Sequence, residues 1–230
     1  MKTIVFDTGP IISLTLNNLC HILDELKKKT DVVFYIPPKV KRELVDKPIE
    51  TRKFKFEALQ VLYHIKKGTI NVYDNKNLHP KAKYLLDLAN SCYSIDRRNV
   101  EIVHYAEMQA VAAALILNAP VVVIDERTTR LLIEDPKRLH KILMHKLNPR
   151  VVPNMKNIGI FRNEMKNLKV IRSAEIVAIA YEKGLLDKYI PDIENARRQL
   201  LESVLWGVKL SGCSLTQREI DTVVKIETND

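Results

Sequence analysis

Four short runs rich in β-branched and aromatic residues, Lys2–Phe6 (KTIVF), Val32–Ile36 (VVFYI), Thr69–Tyr73 (TINVY) and Val121–Ile124 (VVVI), alternate along the chain with longer segments of helical period. Short buried runs spaced by helices imply an α/β fold, in which a central parallel sheet carries helices on both faces. The prediction is therefore three layers, α/β/α.

The helical segments can be placed from the same periodicity. Pro10 to Leu26 begins with a proline suited to a first helical turn, and Ile11, Leu14, Leu19, Ile22, Leu23 and Leu26 recur at steps of three to five residues. In "IPPKVKRELVD" two prolines stop the second strand and start a short helix. Arg52–Lys66, Pro80–Cys92 and the Ala-rich Val100–Leu117 follow, the last leading through "NAP" into "VVVI".

Near the C-terminus Ser173–Lys183, Asp187–Val208 and Thr216–Lys225 read as helices. A capping box stands before the last, with Ser214 or Thr216 as the cap and Gln217 or Glu219 three residues on. An acid-free stretch from Pro136 to Arg162, interrupted by Pro149 and Pro153, is the expected boundary. It divides a sheet domain, residues 1–150, from a small helical extension, residues 151–230.

Charge narrows the partners. The 230 residues carry 37 Lys and Arg against 28 Asp and Glu, a net charge of +9, which favours an anionic partner such as nucleic acid. Lys137, Arg138, Lys141, Lys146, Arg150, Lys156 and Arg162 make the acid-free stretch the most basic part, suited to a phosphate backbone or simply to a solvated face.

Other classes are excluded. Three distant cysteines form neither a disulfide framework nor a zinc spacing, and the six glycines never cluster into a phosphate loop. Asp7 and Pro10 interrupt what would be the apolar core of a signal peptide. Ala110–Ile124 is broken by Asn118 and Pro120, so no membrane span is expected and the reading is cytoplasmic.

Carboxylates stand where such a sheet binds ligands, outside the C-terminal ends of the strands. Asp7 follows the first strand and Asp125 follows "VVVI", with Glu126 directly behind it; Glu43 lies in the helix after the second strand, and Glu107 sits early in the Ala-rich helix. Each has an ordinary role as well. Asp7 and Asp125 are of the type that caps helices, Glu43 lies four residues from Lys39 and Lys47, and Glu107 suits a helix dipole. Together they would repel unless a hard divalent cation, Mg²⁺ or Mn²⁺, neutralised them. One acidic pocket in a basic chain is the layout expected of a phosphodiesterase.

"IVFDTGPIISL", "FYIPPKVKREL" and "AEMQAVAAALILNAPVVVIDERTTRLL" resemble, in order and content, the motifs of PIN-domain ribonucleases, in particular prokaryotic members with an Asp-x-x-Pro-Leu/Ile start and a helical tail. The resemblance spans Met1 to about Glu134. It implies a PIN-like fold and metal-dependent endonucleolytic hydrolysis of RNA, with a 5′-phosphate and a 3′-hydroxyl as products.

By the same resemblance the four acids are Asp7, Glu43, Glu107 and Asp125, with Glu126 beside Asp125 the alternative for the fourth. Asp7, Glu107 and Asp125 would be metal ligands, and Glu43 would complete the set or orient the attacking water. Thr8, Glu126, Arg127 and Arg130 would meet the substrate, with Arg130 also placed to act as an ion-pair partner. An antitoxin-like protein and a second copy of the chain are the further partners it implies. A haloacid-dehalogenase-type phosphatase would need Asp-x-Asp, and Gly9 occupies the second position. A PIN-like scaffold that binds RNA or protein without cutting is one alternative, and the toxin half of a toxin–antitoxin pair is the other.

Overall fold

The computed structural model describes residues 2–228. Five parallel strands form the central sheet: Lys2–Phe6, Val32–Ile36, Ile70–Val72, Val121–Val123 and Lys169–Ile171. Lys2–Phe6 lies in the middle, pairing Val32–Ile36 on one side and Val121–Val123 on the other. Ile70–Val72 and Lys169–Ile171 form the edges. Winding reverses at the first strand, which puts a crevice outside the ends of the first and fourth strands. The Asp7 amide, donating to the Val123 carbonyl at 3.0 Å, ties those two ends together.

The strand alternation sorts side chains between two cores. Ile4, Phe6 and Val123 pack with the helices Thr8–Leu16 and Ser173–Glu182 on one face. Val5, Val122 and Ile124 pack with Leu78–Asn90 and the Ala-rich Tyr105–Ile116 on the other. Alanines let that last helix bury almost its whole circumference, every residue from Ala106 to Ala114.

Two sequence expectations change. The helix read over Pro10–Leu26 is two helices, Thr8–Leu16 and His21–Lys29, because Asn18 takes a left-handed φ of 56° that ends the first. The division at residue 150 cuts through the sheet. Lys169–Ile171 is its fifth strand, and Val152–Pro153 joins Tyr93–Ile95 and Arg98–Asn99 in a small antiparallel sheet.

The C-terminal helices Ala196–Leu210 and Gln217–Thr228 do extend beyond the sheet. Their Leu201, Leu205, Val208, Ile220 and Val224 nevertheless share one core with Phe6, Ile11 and Leu14. The capping box forms at Thr216 and Glu219: Glu219 N donates to Thr216 Oγ1 at 3.2 Å, and Thr216 N to Glu219 Oε2 at 2.8 Å. Among the described residues no helix is long and apolar enough to cross a membrane.

Candidate active site

A cleft of about 380 Å³ opens at the crevice, lined by Asp7, Thr8, Lys39, Glu43, His104, Tyr105, Ala106 and Glu107. Three of the four expected acids therefore meet. Asp7 occupies the N-cap position of Thr8–Leu16 yet makes no capping hydrogen bond, and its Oδ1 is buried without a partner. Asp7 is 6% exposed and Glu107 7%.

Both carboxyls are displaced far from their ordinary values. Asp7 is pushed up to about 7, first by burial and then by the negative charge of Glu107, with the amides of Thr8 and Gly9 offsetting part of the rise. Glu107 is pushed up to about 7 by burial, partly offset by the hydroxyl of Thr129, with Glu126 and then Glu43 as the acids that raise it further. Thr129, itself fully buried, donates its hydroxyl to Glu107 Oε2.

Glu43 reaches the cleft rim from the segment Arg42–Asp46, a widened π-type turn between the helical turns Pro38–Lys41 and Lys47–Ile49. Turns of this kind recur at functional sites because they re-aim a side chain without ending the helix. Thr8 Oγ1 donates to Glu43 Oε2 at 2.9 Å, and Lys39 Nζ lies 3.5 Å from Oε1. The ordinary i,i+4 pairing with Lys39 and a place in the cleft thus coexist.

Asp125, expected as the fourth acid, does not face this cleft. It is 3% exposed on the opposite side of the sheet, where Oδ1 accepts from Ser173 N at 2.7 Å and Oδ2 accepts from Ser13 Oγ and Ser173 Oγ, each at 2.8 Å. Strand parity is the reason: Asp125 follows Val123 onto one face, whereas Glu126 follows Val122 and Ile124 onto the face that holds Glu107. Asp7 follows Val5 onto that same face. Glu126 is exposed and caps Arg127–Glu134, accepting from Thr128 N at 3.2 Å.

The arginines beyond it are engaged elsewhere. Arg127 Nε points to Ser214 Oγ at 3.5 Å, and Arg130 pairs with Glu134 at 3.2 Å. Several positioning residues carried no sequence signal of their own. Gln109 is one: its Oε1 accepts from Lys39 N at 2.8 Å and its Nε2 donates to Tyr105 OH at 3.2 Å, tying the helix after the second strand to the Ala-rich helix. Ser13, Thr129 and Ser173 are others.

A match to the family model of the PIN domain covers residues 3–135. The chain belongs to the PIN-domain family. No curated protein and no solved structure matches it. PIN domains are in general nucleases that use divalent metals, and their central sheet with flanking helices is the architecture described above.

The residues of this PIN domain fit such an ion. Among the described residues no three His, Cys, Asp or Glu side chains close into a ready cage. Mg²⁺ does not require one, because it is commonly held by one or two carboxylates and keeps several waters. Asp7 and Glu107 supply that pair. The unpartnered Oδ1 of Asp7 and the raised carboxyls of Asp7 and Glu107, each displaced first by burial, suit a bound cation.

Proposed function

We propose that this PIN domain is a metal-dependent endoribonuclease, a hydrolase of RNA phosphodiester bonds. The observation that carries the reading is the buried Asp7–Glu107 pair at the wall of a cleft on an otherwise basic chain, with Asp7 Oδ1 left without a hydrogen-bond partner. Asp7 and Glu107 would hold Mg²⁺ or Mn²⁺, with Glu126 and Glu43 at the rim. Bound there, the ion would supply an acidified water and charge neutralisation on the phosphate.

The chain's own groups supply the rest. Glu43, held by Thr8, is the candidate to orient the attacking water and accept its proton, and Lys39 places a cation beside the phosphate. Thr129 fixes the rotamer of Glu107. Asp125 serves as the strut behind the site, joining the start of Ser173–Glu182 to Thr8–Leu16.

The test is incubation of single-stranded and structured RNAs with Mn²⁺, Mg²⁺ or EDTA, using wild type and Asp7→Asn. Cleavage by wild type in the metal buffers alone, lost in Asp7→Asn, is the expected result. No metal-dependent cleavage, or equal cleavage by the variant, overturns the reading in favour of a non-catalytic scaffold.

A further inference from the structure

The helix Lys55–Lys66 carries two apolar stripes, and the core accounts for only one. Ala58, Val61, Leu62 and Ile65 pack inward. Phe56, Leu59 and Tyr63 recur at steps of three and four on the outer side, with Phe56 69% and Tyr63 61% exposed. Large rings left in water at helical spacing call for a surface role.

Cations are interleaved with these rings. Lys53 Nζ lies 4.9 Å above the Phe54 ring and Lys67 Nζ 5.5 Å above Tyr63. Between residues 47 and 67 there are six Lys and Arg against two acids, Glu50 and Glu57. Protein interfaces are depleted of lysine, whereas single-stranded nucleic acid is bound by aromatic platforms set in a positive groove.

The surface is also continuous with the candidate active site. Glu43, which lines the carboxylate cleft, lines a neighbouring apolar groove together with Ile12, Leu16, Phe54 and Val61. Beyond that groove a second cleft of about 360 Å³ lies between Asn18, His21, Phe56, Gln60 and Tyr63. It offers ring faces for stacking and the amides of Asn18 and Gln60 for base edges. Phe54 is held at a left-handed φ of 61°, a position costly for a bulky residue, and Ala58 N donates to its carbonyl at 3.0 Å.

We infer that the outer face of Lys55–Lys66, from Phe54 past Phe56 to Tyr63, is a stacking track for the unpaired bases of a single-stranded RNA lying across the Glu43 side of the cleft. The inference rests on the ribonuclease reading for its substrate. Phe56 and Tyr63, roughly 10 Å apart along the helix, each offer one exposed ring face. Duplex RNA cannot use the track, because its bases are already stacked on one another.

The experiment is fluorescence anisotropy in EDTA, where no cleavage intrudes, with a short unstructured RNA and the same sequence as a duplex. The proteins are wild type, Phe56→Ala/Tyr63→Ala and the ring-retaining Phe56→Tyr/Tyr63→Phe, with thermal midpoints measured alongside to verify folding. The alanine pair is expected to weaken single-strand binding roughly 30-fold or more, the ring-retaining pair to keep it, and Lys53→Ala to lower the salt slope by about one.

Unchanged single-strand affinity in the alanine pair overturns the track. So does equal loss for single strand and duplex, and so does a wild-type dimer that dissociates in the alanine pair while RNA binding persists, which would make this face a protein interface. A parallel Mn²⁺ cleavage assay with Asp7→Asn separates the two ideas. A wild type that binds through the rings but cuts nothing sinks the nuclease reading alone, and one that cuts while the alanine pair binds normally sinks the track alone.

Discussion

Ser13 Oγ donates to Asp125 Oδ2 at 2.8 Å, joining the first helix to the mouth of the fourth strand on the face turned away from the carboxylate cleft. With Ser173 holding both oxygens of the same carboxylate, Asp125 has its hydrogen-bonding capacity committed to the scaffold. Glu126, one residue on, stands on the side of Glu107. A substitution at each position therefore has a different signature.

Asp125→Ala removes the acceptor of three buried donors, and each orphaned donor costs on the order of 1–3 kcal/mol. Destabilisation of about 3 kcal/mol is expected in urea unfolding. Glu126→Gln keeps the N-cap acceptor and is expected to change stability by less than about 0.5 kcal/mol while slowing metal-dependent RNA cleavage at least tenfold. Full activity in Glu126→Gln with an inactive but stable Asp125→Asn would restore Asp125 as the fourth acid.

Asp7 should destabilise the metal-free fold. Its carboxyl and that of Glu107 stand near 7 in the folded chain against ordinary values of 3.8 and 4.5, so between about pH 4 and pH 7 the folded state holds more protons than the unfolded state. Stability of the metal-free protein therefore falls as pH rises through that window and levels off above it. Asp7→Asn removes the burial of one charge and is expected to stabilise the metal-free protein by about 1–3 kcal/mol at pH 8, with no gain at pH 4. A thermal midpoint for Asp7→Asn at or below wild type at pH 8 would contradict this account of the pair.

Metal affinity follows the same protons. An ion at Asp7 and Glu107 must displace both, so Mn²⁺ binding by calorimetry is expected to tighten by up to about a hundredfold per pH unit well below pH 7 and to level off above it. Glu107→Gln should remove most of the affinity and reduce that dependence to the one proton still held by the buried Asp7. Binding that is strong and flat from pH 5.5 to 8 would place the ion at other residues.

Much of this was legible in the chain. The strands Lys2–Phe6 and Val32–Ile36 agree with their sequence ranges because compact β-branched runs between polar and proline punctuation have few other solutions. Glu43 and Glu107 were found from their places after strands and at a helix start. Lys169–Ile171 was missed because three residues opening on a lysine carry little pattern, and only pairing with Val121–Val123 makes them a strand. The side of the sheet that Asp125 faces was a different matter. Adjacency to the strand end left Asp125 and Glu126 both open as the fourth acid, and counting alternate residues from Val122 and Val123 puts Glu126 on the side of Glu107. Thr129 and Gln109 could not be read at all, since nothing local marks a threonine or glutamine whose partner is 22 or 70 residues away.

The C-terminal helices should unfold with the sheet and not separately. Arg172, 8% exposed at the end of the fifth strand, donates from Nη2 to Glu175 Oε1 at 2.6 Å and from Nη1 to both Ser214 O and Glu219 Oε1 at 2.9 Å. Ser214 N in turn donates to the Asp125 carbonyl at 3.0 Å, so the arginine fastens the last loop to the end of the fifth strand while the Ser214 amide fastens it to the mouth of the fourth. Arg172→Ala leaves Glu219 without its cation, although the carboxylate is partly exposed, and removes the donor that satisfies the Ser214 carbonyl. A loss of about 3 kcal/mol is expected, with Arg172→Lys recovering only part because a point charge cannot serve three acceptors from a planar fork. Because Leu201, Leu205 and Val208 lie in the core of Phe6 and Leu14, calorimetry should record a single transition in wild type and variant alike. Two separable transitions, or an Arg172→Ala variant as stable as wild type, would show the C-terminal helices to be an independent unit.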